Sequence, residues 1–237
     1  MQTSRVRISR SKIDRFFTCP RCGWLEFVHH LNPPSIPFTL NMTVDELLKK
    51  EFDRHRAAGT VHPVVRHLGH EFVPFKHAKI EAWRDTKRGL SRIDNATNFE
   101  VFGAVDDLWV DAEGNVIVVD YKATAKTSPV KRLGTYPYHD GYRRQLDIYS
   151  WLLQGQDNIN VSSRAFWLYV TARRGAAEFG GILTFDPALI EYKPDVSWIE
   201  PFLREIRAYV DSTKVPEMSP DCELCRYRAE AQLATSG

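Results

Sequence analysis

One seven-residue stretch limits what this chain can fold into more than any other: Val116-Ile117-Val118-Val119-Asp120-Tyr121-Lys122. Four consecutive β-branched apolar residues have the character of a strand covered on both faces. An acid, an aromatic and a lysine then follow without a break. Charges at the end of a buried strand cost desolvation energy unless something compensates them, so Asp120 and Lys122 need partners.

The preceding residues supply one. Asn98 to Val110 alternates as a strand does, Asp111-Ala112-Glu113-Gly114-Asn115 reads as a turn with glycine near a left-handed position, and Asn115 to Lys122 is the return strand. With the turn centred on Glu113, Asp111 faces Asn115 and Asp106 faces Asp120. Facing side chains lie on one side of a sheet, with Cβ atoms about 4.5–5.5 Å apart. Two carboxylates so placed repel, and a divalent cation between them reverses the sign. Lys122, two residues beyond Asp120, projects from the same face. Two carboxylates and an ammonium suit hydrolysis of a phosphodiester. The carboxylates hold Mg²⁺ or Mn²⁺, the metal acidifies a water and neutralises the phosphate, and the lysine orients that water and stabilises developing charge. A register slipped by one residue would instead turn the acids to solvent.

The rest of the chain predicts a mixed α/β fold with helices packed on a central sheet. A short helix is expected over Ser9 to Phe17, a longer one over Thr43 to Ala58 ended by Gly59, another over Gly141 to Gln154, and a last one over Val196 to Ser212. Residues 123–140 read as a loop. Arg164 to Thr171 and Glu178 to Phe185 read as a hairpin around Arg173-Arg174-Gly175. With 237 residues, 43% of them hydrophobic, the chain can bury one core, and no linker or internal repeat divides it. The expectation is therefore one domain over 1–237, with a core at about 40–212. No run of eighteen apolar residues or signal-like N-terminus is present, which predicts a cytoplasmic protein without a membrane span. The net charge of +2 does not announce nucleic acid, so any phosphate-binding surface must be local.

The four cysteines form two CxxC pairs, Cys19/Cys22 and Cys222/Cys225. In a cytosolic chain such pairs read first as a metal site. The segments concerned, about 11–30 and 215–230, would then be stapled together.

Gly103-Ala104-Val105-Asp106 followed by Val119-Asp120-Tyr121-Lys122 resembles motifs II and III of the PD-(D/E)XK nuclease superfamily. Gln145-Leu146-Asp147-Ile148-Tyr149 resembles the Q-x-x-x-Y motif of its RecB-like branch, which includes CRISPR-associated iron–sulfur nucleases and helicase-linked exonucleases. Gln145 and Tyr149 share a helix face. The entry Ile8-Ser9-Arg10-Ser11-Lys12-Ile13-Asp14-Arg15-Phe16-Phe17-Thr18-Cys19-Pro20 is also similar to that branch. The resemblance implies a restriction-endonuclease-like sheet and a metal-dependent DNA nuclease working on single strands or duplex ends. It implies Asp106 and Asp120 as metal ligands, Lys122 as the water-activating lysine, and Gln145 and Tyr149 in support. The branch's helical metal-binding histidine is replaced here by Asp45, with Glu51, Asp53 and His55 as rivals. Iron–sulfur relatives join one N-terminal cysteine to three C-terminal ones, whereas this chain divides them two and two. The resemblance thus favours a [4Fe–4S] cluster, and a Cys₄ set also serves Zn²⁺. A helicase or CRISPR-type partner follows by the same resemblance. Lys126, Lys131, Arg132, Arg143 and Arg144 are candidates to track phosphates, or they solvate a loop and a helix start.

Overall fold

The computed structural model describes residues 5–236. Its elements in chain order are β1 (Val6–Ser9), α1 (Arg10–Thr18), α2 (Pro20–Val28), α3 (Thr39–Ala58), α4 (Pro63–His67), β2 (Val73–Pro74), α5 (Ile80–Arg84), β3 (Leu90–Asp94), β4 (Phe99–Gly103) and β5 (Asp107–Val110). The second half holds β6 (Val116–Lys126), α6 (Pro137–Gln154), β7 (Ala165–Arg173), β8 (Phe185–Tyr192), α7 (Ile199–Asp211) and α8 (Glu223–Thr235). The fold is mixed α/β, and it divides into two compact units, which are taken in turn.

The larger unit comprises residues 37–92 and 103–196. Its sheet has the order β2-β5-β6-β7-β8, with β6 parallel to β7 and the remaining pairs antiparallel. The all-apolar start of β6 is therefore the central strand, and Val116 through Tyr121 are all buried. Odd-numbered β6 residues Ile117, Val119 and Tyr121 join Trp109, Phe166 and Leu168 in a cluster that receives Phe52 of α3. Phe52 stacks on Trp109 at 5.0 Å between centroids. Burying such a ring contributes about 1.5–3 kcal/mol. Even-numbered Asp120 and Lys122 project to the other side, where Lys122 meets Gln145 of α6.

The expected register holds. Asp107 pairs with Val119, Leu108 with Val118 and Trp109 with Ile117, the alignment that puts Asp106 opposite Asp120. Other expectations change. The single strand over 98–110 is two strands: β4 belongs to a three-stranded sheet and β5 to the five-stranded one. Alternation continues through both pieces, so the period alone did not mark the break at Gly103-Ala104-Val105-Asp106. The hairpin partner of β7 is Phe185–Tyr192, not Glu178 to Phe185. Pro187 argues against a strand there in the sequence, but β8 is the edge of the sheet, where a missing N–H is tolerated. β6 also runs four residues past Lys122, and α6 begins at Pro137, both inside the expected loop.

The smaller unit comprises, of the described residues, 5–36, 93–102 and 197–236. In it β1 lies parallel to β4. Ser9 caps α1 by accepting from Lys12 N at 3.3 Å. The CPRCG segment opens helix α2, with Pro20 at a first-turn position that needs no N–H. A Cβ on Gly23 would lie 2.4 Å from Cγ of Phe16, so glycine is required for α1 and α2 to pack. Phe16 also stacks with Tyr209 of α7 at 6.4 Å. Helix α8 buries little; Cys225 is its one buried residue.

Candidate active site and cysteine centre

The end of β6 gathers charges from three elements of the larger unit. Asp120 is fully buried, and neither of its carboxylate oxygens receives a hydrogen bond of normal geometry among the described residues. Its compensation is an ion pair with the Lys122 ammonium. Burial pushes Asp120 up to about 7; Lys122 offsets part of that rise, and the neighbouring Asp106 adds to it. Lys122 is itself pulled down by burial, but the Asp120 and Asp106 carboxylates outweigh that pull and raise it. Its Nζ donates to Gln145 Oε1 at 3.2 Å and lies 4.6 Å from the centre of the Tyr142 ring. Gln145 Nε2 in turn donates to Tyr149 Oη at 3.1 Å. The Q-x-x-x-Y pair therefore holds the lysine at one remove.

Asp106 stands one residue before β5. Its Oδ2 accepts from Tyr121 N at 2.9 Å, which fixes the carboxylate against β6. Its Oδ1 lies 3.4 Å from Lys49 Nζ, and the same ammonium donates to Asp45 Oδ2 at 2.7 Å. Burial and the charge of Asp106 raise Asp45, and Lys49 draws it back in part. Of the candidate helix ligands, Asp45 is thus the one that reaches the Asp106 carboxylate through a shared cation. Asp53 is spent on Arg84 and Arg56, at 2.7 and 3.1 Å. His55 contacts Thr60 Oγ1 at 2.9 Å and sits edge-on to His62. Glu51 lies 3.5 Å from His62 Nε2.

Lys49 was not singled out from the sequence. The available signal was its position, one turn beyond Asp45 on the same helix face. The cavity at this point has a volume of about 110 Å³ and is lined by Asn41, Val44, Asp45, Tyr121, Lys122 and Tyr142, among others. A second cavity of about 290 Å³ shares Asn41, Val44 and Ala123 with it and adds Arg173 and Arg174. These two arginines were read as a turn. The basic residues that were proposed divide: Lys126, Lys131 and Arg132 are exposed at or after the end of β6. Arg143 is held by Asp140 at 2.5 Å and by Gly134 O at 3.0 Å, and Arg144 is half-buried on α6.

The neighbouring acid shows what a satisfied buried carboxylate looks like. Asp107 is also fully buried, but it accepts from Leu108 N at 2.8 Å, Trp109 Nε1 at 3.0 Å and Tyr121 Oη at 2.7 Å, and it pairs with Arg56. Every lone pair has a use within the fold. Replacing Asp107 with Ala leaves Arg56 buried beside an empty position, and the expected loss is about 3 kcal/mol or more of stability. An unfolding free energy from denaturant titration lowered by less than about 1 kcal/mol would contradict this. Asp120 has no such network among the described residues, and its charge is met by Lys122.

The four cysteines lie in the smaller unit, with their sulfurs all within 4.8 Å of one another. Sγ of Cys22 lies 3.3 Å from Cys225 and 3.6 Å from Cys222, and Cys19 lies 3.7 Å from Cys225. Burial raises the Cys19 thiol, but hydrogen bonds from the Ser219 and Cys22 backbone outweigh it and leave it at about 7. Burial raises Cys225 to about 11 and Cys22 further still. Four converging sulfurs, three on buried residues and that of Cys222 half-buried, with Cys19 ionising readily, make a donor set for a soft cation.

The family model of the PD-(D/E)XK nuclease superfamily matches residues 23–229. No curated protein matches the chain. Among the described residues no helix is long and apolar enough to cross a membrane.

Proposed function

The chain belongs to the PD-(D/E)XK nuclease superfamily, and from that membership we propose a divalent-metal-dependent DNA nuclease that hydrolyses phosphodiester bonds on single strands or at duplex ends. The observation that carries the reading is Asp120: fully buried, beside Asp106, with no hydrogen bond of normal geometry to its carboxylate among the described residues, and ion-paired with the Lys122 ammonium. Asp106 and Asp120 would hold Mg²⁺ or Mn²⁺, with Asp45 as the helix ligand. A bound divalent cation supplies water acidification and charge neutralisation at the phosphate. The chain's own residues do the positioning. Gln145 and the Tyr142 ring fix the Lys122 ammonium at the cavity, where it orients the attacking water and meets charge developing on the phosphate. Tyr149 holds Gln145 in turn. The match, which runs through segments of both units, supports reading 1–237 as one nuclease-like domain.

For the substrate path, the two adjoining cavities favour a strand running from the site toward Arg173 and Arg174, with Lys126, Lys131 and Arg132 flanking. Arg173 is partly neutralised by Asp186 at 2.8 Å, so Arg174 is the better phosphate contact. Arg174→Glu is expected to weaken binding of a labelled single strand by about tenfold, and to flatten its salt dependence. Anisotropy titrations at two salt concentrations check this; unchanged affinity would remove the path from this groove.

For the cysteines we read one zinc ion rather than the [4Fe–4S] cluster. Tetrahedral Zn–S bonds of about 2.3 Å place sulfurs about 3.8 Å apart, close to the spacing here. A cluster sets each thiolate on a different iron and needs wider separation.

The second reading, a nucleic-acid-binding or scaffold subunit of a helicase or CRISPR-type complex with little turnover, is favoured by the ammonium of Lys49 between Asp45 and Asp106. The deciding assay uses purified protein with labelled single-stranded DNA, duplex DNA and RNA, with Mg²⁺, Mn²⁺ or EDTA. Cleavage with metal and none with EDTA supports the nuclease. Binding without cleavage under all conditions selects the subunit.

A further inference from the structure

We propose that Lys49 is a resident counter-cation of this site, exchanged for the divalent ion when the ion binds. The inference rests on the metal-site reading above and deepens it. Lys49 follows Asp45 by one turn of α3, and a pair so spaced on a helix surface is ordinarily a solvated ion pair worth a few tenths of a kcal/mol. This one differs in two ways. The side chain is only 23% exposed, and its ammonium also faces Asp106, which arrives from the residue just before β5 rather than from the helix.

The wiring of Asp106 then fixes the consequence. Oδ2 is committed to the Tyr121 N–H, so Oδ1 is the oxygen left to face a cation, and Lys49 faces it. On Asp45, Oδ2 takes the same ammonium. A metal ion that uses Asp45 and Asp106 together needs the space in which Lys49 Nζ lies. Two cations cannot share it, because like charges in a half-buried site repel strongly.

Without metal, Lys49 holds the two carboxylates at their spacing and offsets their repulsion. With metal, the ammonium leaves Oδ1 of Asp106 and remains tethered by its four-carbon stem beside the cavity. Lys49 is thus a positioning residue, set apart from Lys122, whose ammonium is held by Asp120 and Gln145.

The sign of one measurement separates this from a plain structural role. Mn²⁺ binding to DNA-free protein is followed by calorimetry in the full-length chain, its cysteine centre intact, for wild type, Lys49→Met and Lys49→Arg. Exchange predicts that Lys49→Met binds Mn²⁺ about tenfold more tightly, since no resident cation has to be displaced, while Lys49→Arg stays near or weaker than wild type. The gain should also appear as a larger rise in melting temperature on adding Mn²⁺. A ligand-positioning role alone predicts the reverse, a loss of affinity in Lys49→Met. Unchanged or weaker binding by folded Lys49→Met overturns the proposal, provided that wild type binds Mn²⁺ and Asp120→Asn does not. If wild type and Lys49→Met both fail to bind Mn²⁺, the metal-site reading itself falls and takes this proposal with it. Should Lys49→Met fold poorly, Lys49→Gln, which removes the charge and keeps a polar end, carries the same expectation.

Discussion

Asp120→Asn is expected to abolish phosphodiester cleavage, by about 10³-fold or more, while the protein remains folded. The amide keeps the shape of the carboxylate and removes the charge on which the cation site depends. Asp106→Asn should do the same, and Lys122→Ala should lose most activity. A second readout does not depend on turnover. The buried Asp120 is raised to about 7, against about 3.9 in an unfolded chain. In the metal-free protein the native state therefore binds more protons than the unfolded state between about pH 4 and pH 7. Stability falls as pH rises through that window. Measured in EDTA by denaturant unfolding, wild type should lose stability from pH 4 to pH 7, and Asp120→Asn should show a flatter profile. Added Mn²⁺ should restore wild type at pH 7 and leave the variant unmoved. Full cleavage by Asp120→Asn, free of contaminating nuclease, would sink the site assignment.

The parts of this site that were legible in the sequence were those written in the strand period and the turn. Five residues between two apolar runs set the register, and the register placed Asp106 against Asp120 without any coordinates. The Q-x-x-x-Y spacing placed two polar groups on one helix face, and the structure joins them to Lys122. What stayed hidden depended on which elements meet. The adjacent acids Asp106 and Asp107 look alike in the sequence. Only the approach of Arg56, Trp109 and Tyr121 makes one a satisfied structural carboxylate and leaves the other for the site. Lys49 was hidden for the same reason, since a helix position says which residues share its face but not what lies opposite. The β7–β8 connection is longer than the expected turn around Arg173-Arg174-Gly175, and the strand that follows it tolerates Pro187 because it is an edge strand.

The largest stability effect should come from the cysteines. Cys19 and Cys222 stand 203 positions apart in the sequence. In the chain-entropy treatment of a cross-link, closing a loop of that length is worth about 5 kcal/mol, and a structural metal contributes its binding energy directly to folding. The local packing points to the segment that depends on it most. Helix α8 buries Cys225 and little else, so apolar contact alone would hold it weakly. Removing the metal with a strong chelator, or replacing any one of Cys19, Cys22, Cys222 or Cys225 with Ser, is expected to lower the melting temperature and the soluble yield. Trypsin should then cut at Arg226 and Arg228, which lie on α8, before it cuts the strands of the larger sheet. The surviving fraction should still cleave, since no thiolate belongs to the Asp106–Asp120–Lys122 group. Elemental analysis should find about one zinc per chain in a colourless protein; a brown protein with broad visible absorption would put the [4Fe–4S] cluster back in its place. Metal-free protein as stable as the loaded form, with α8 equally resistant to trypsin, would show that the two CxxC pairs do not form one centre.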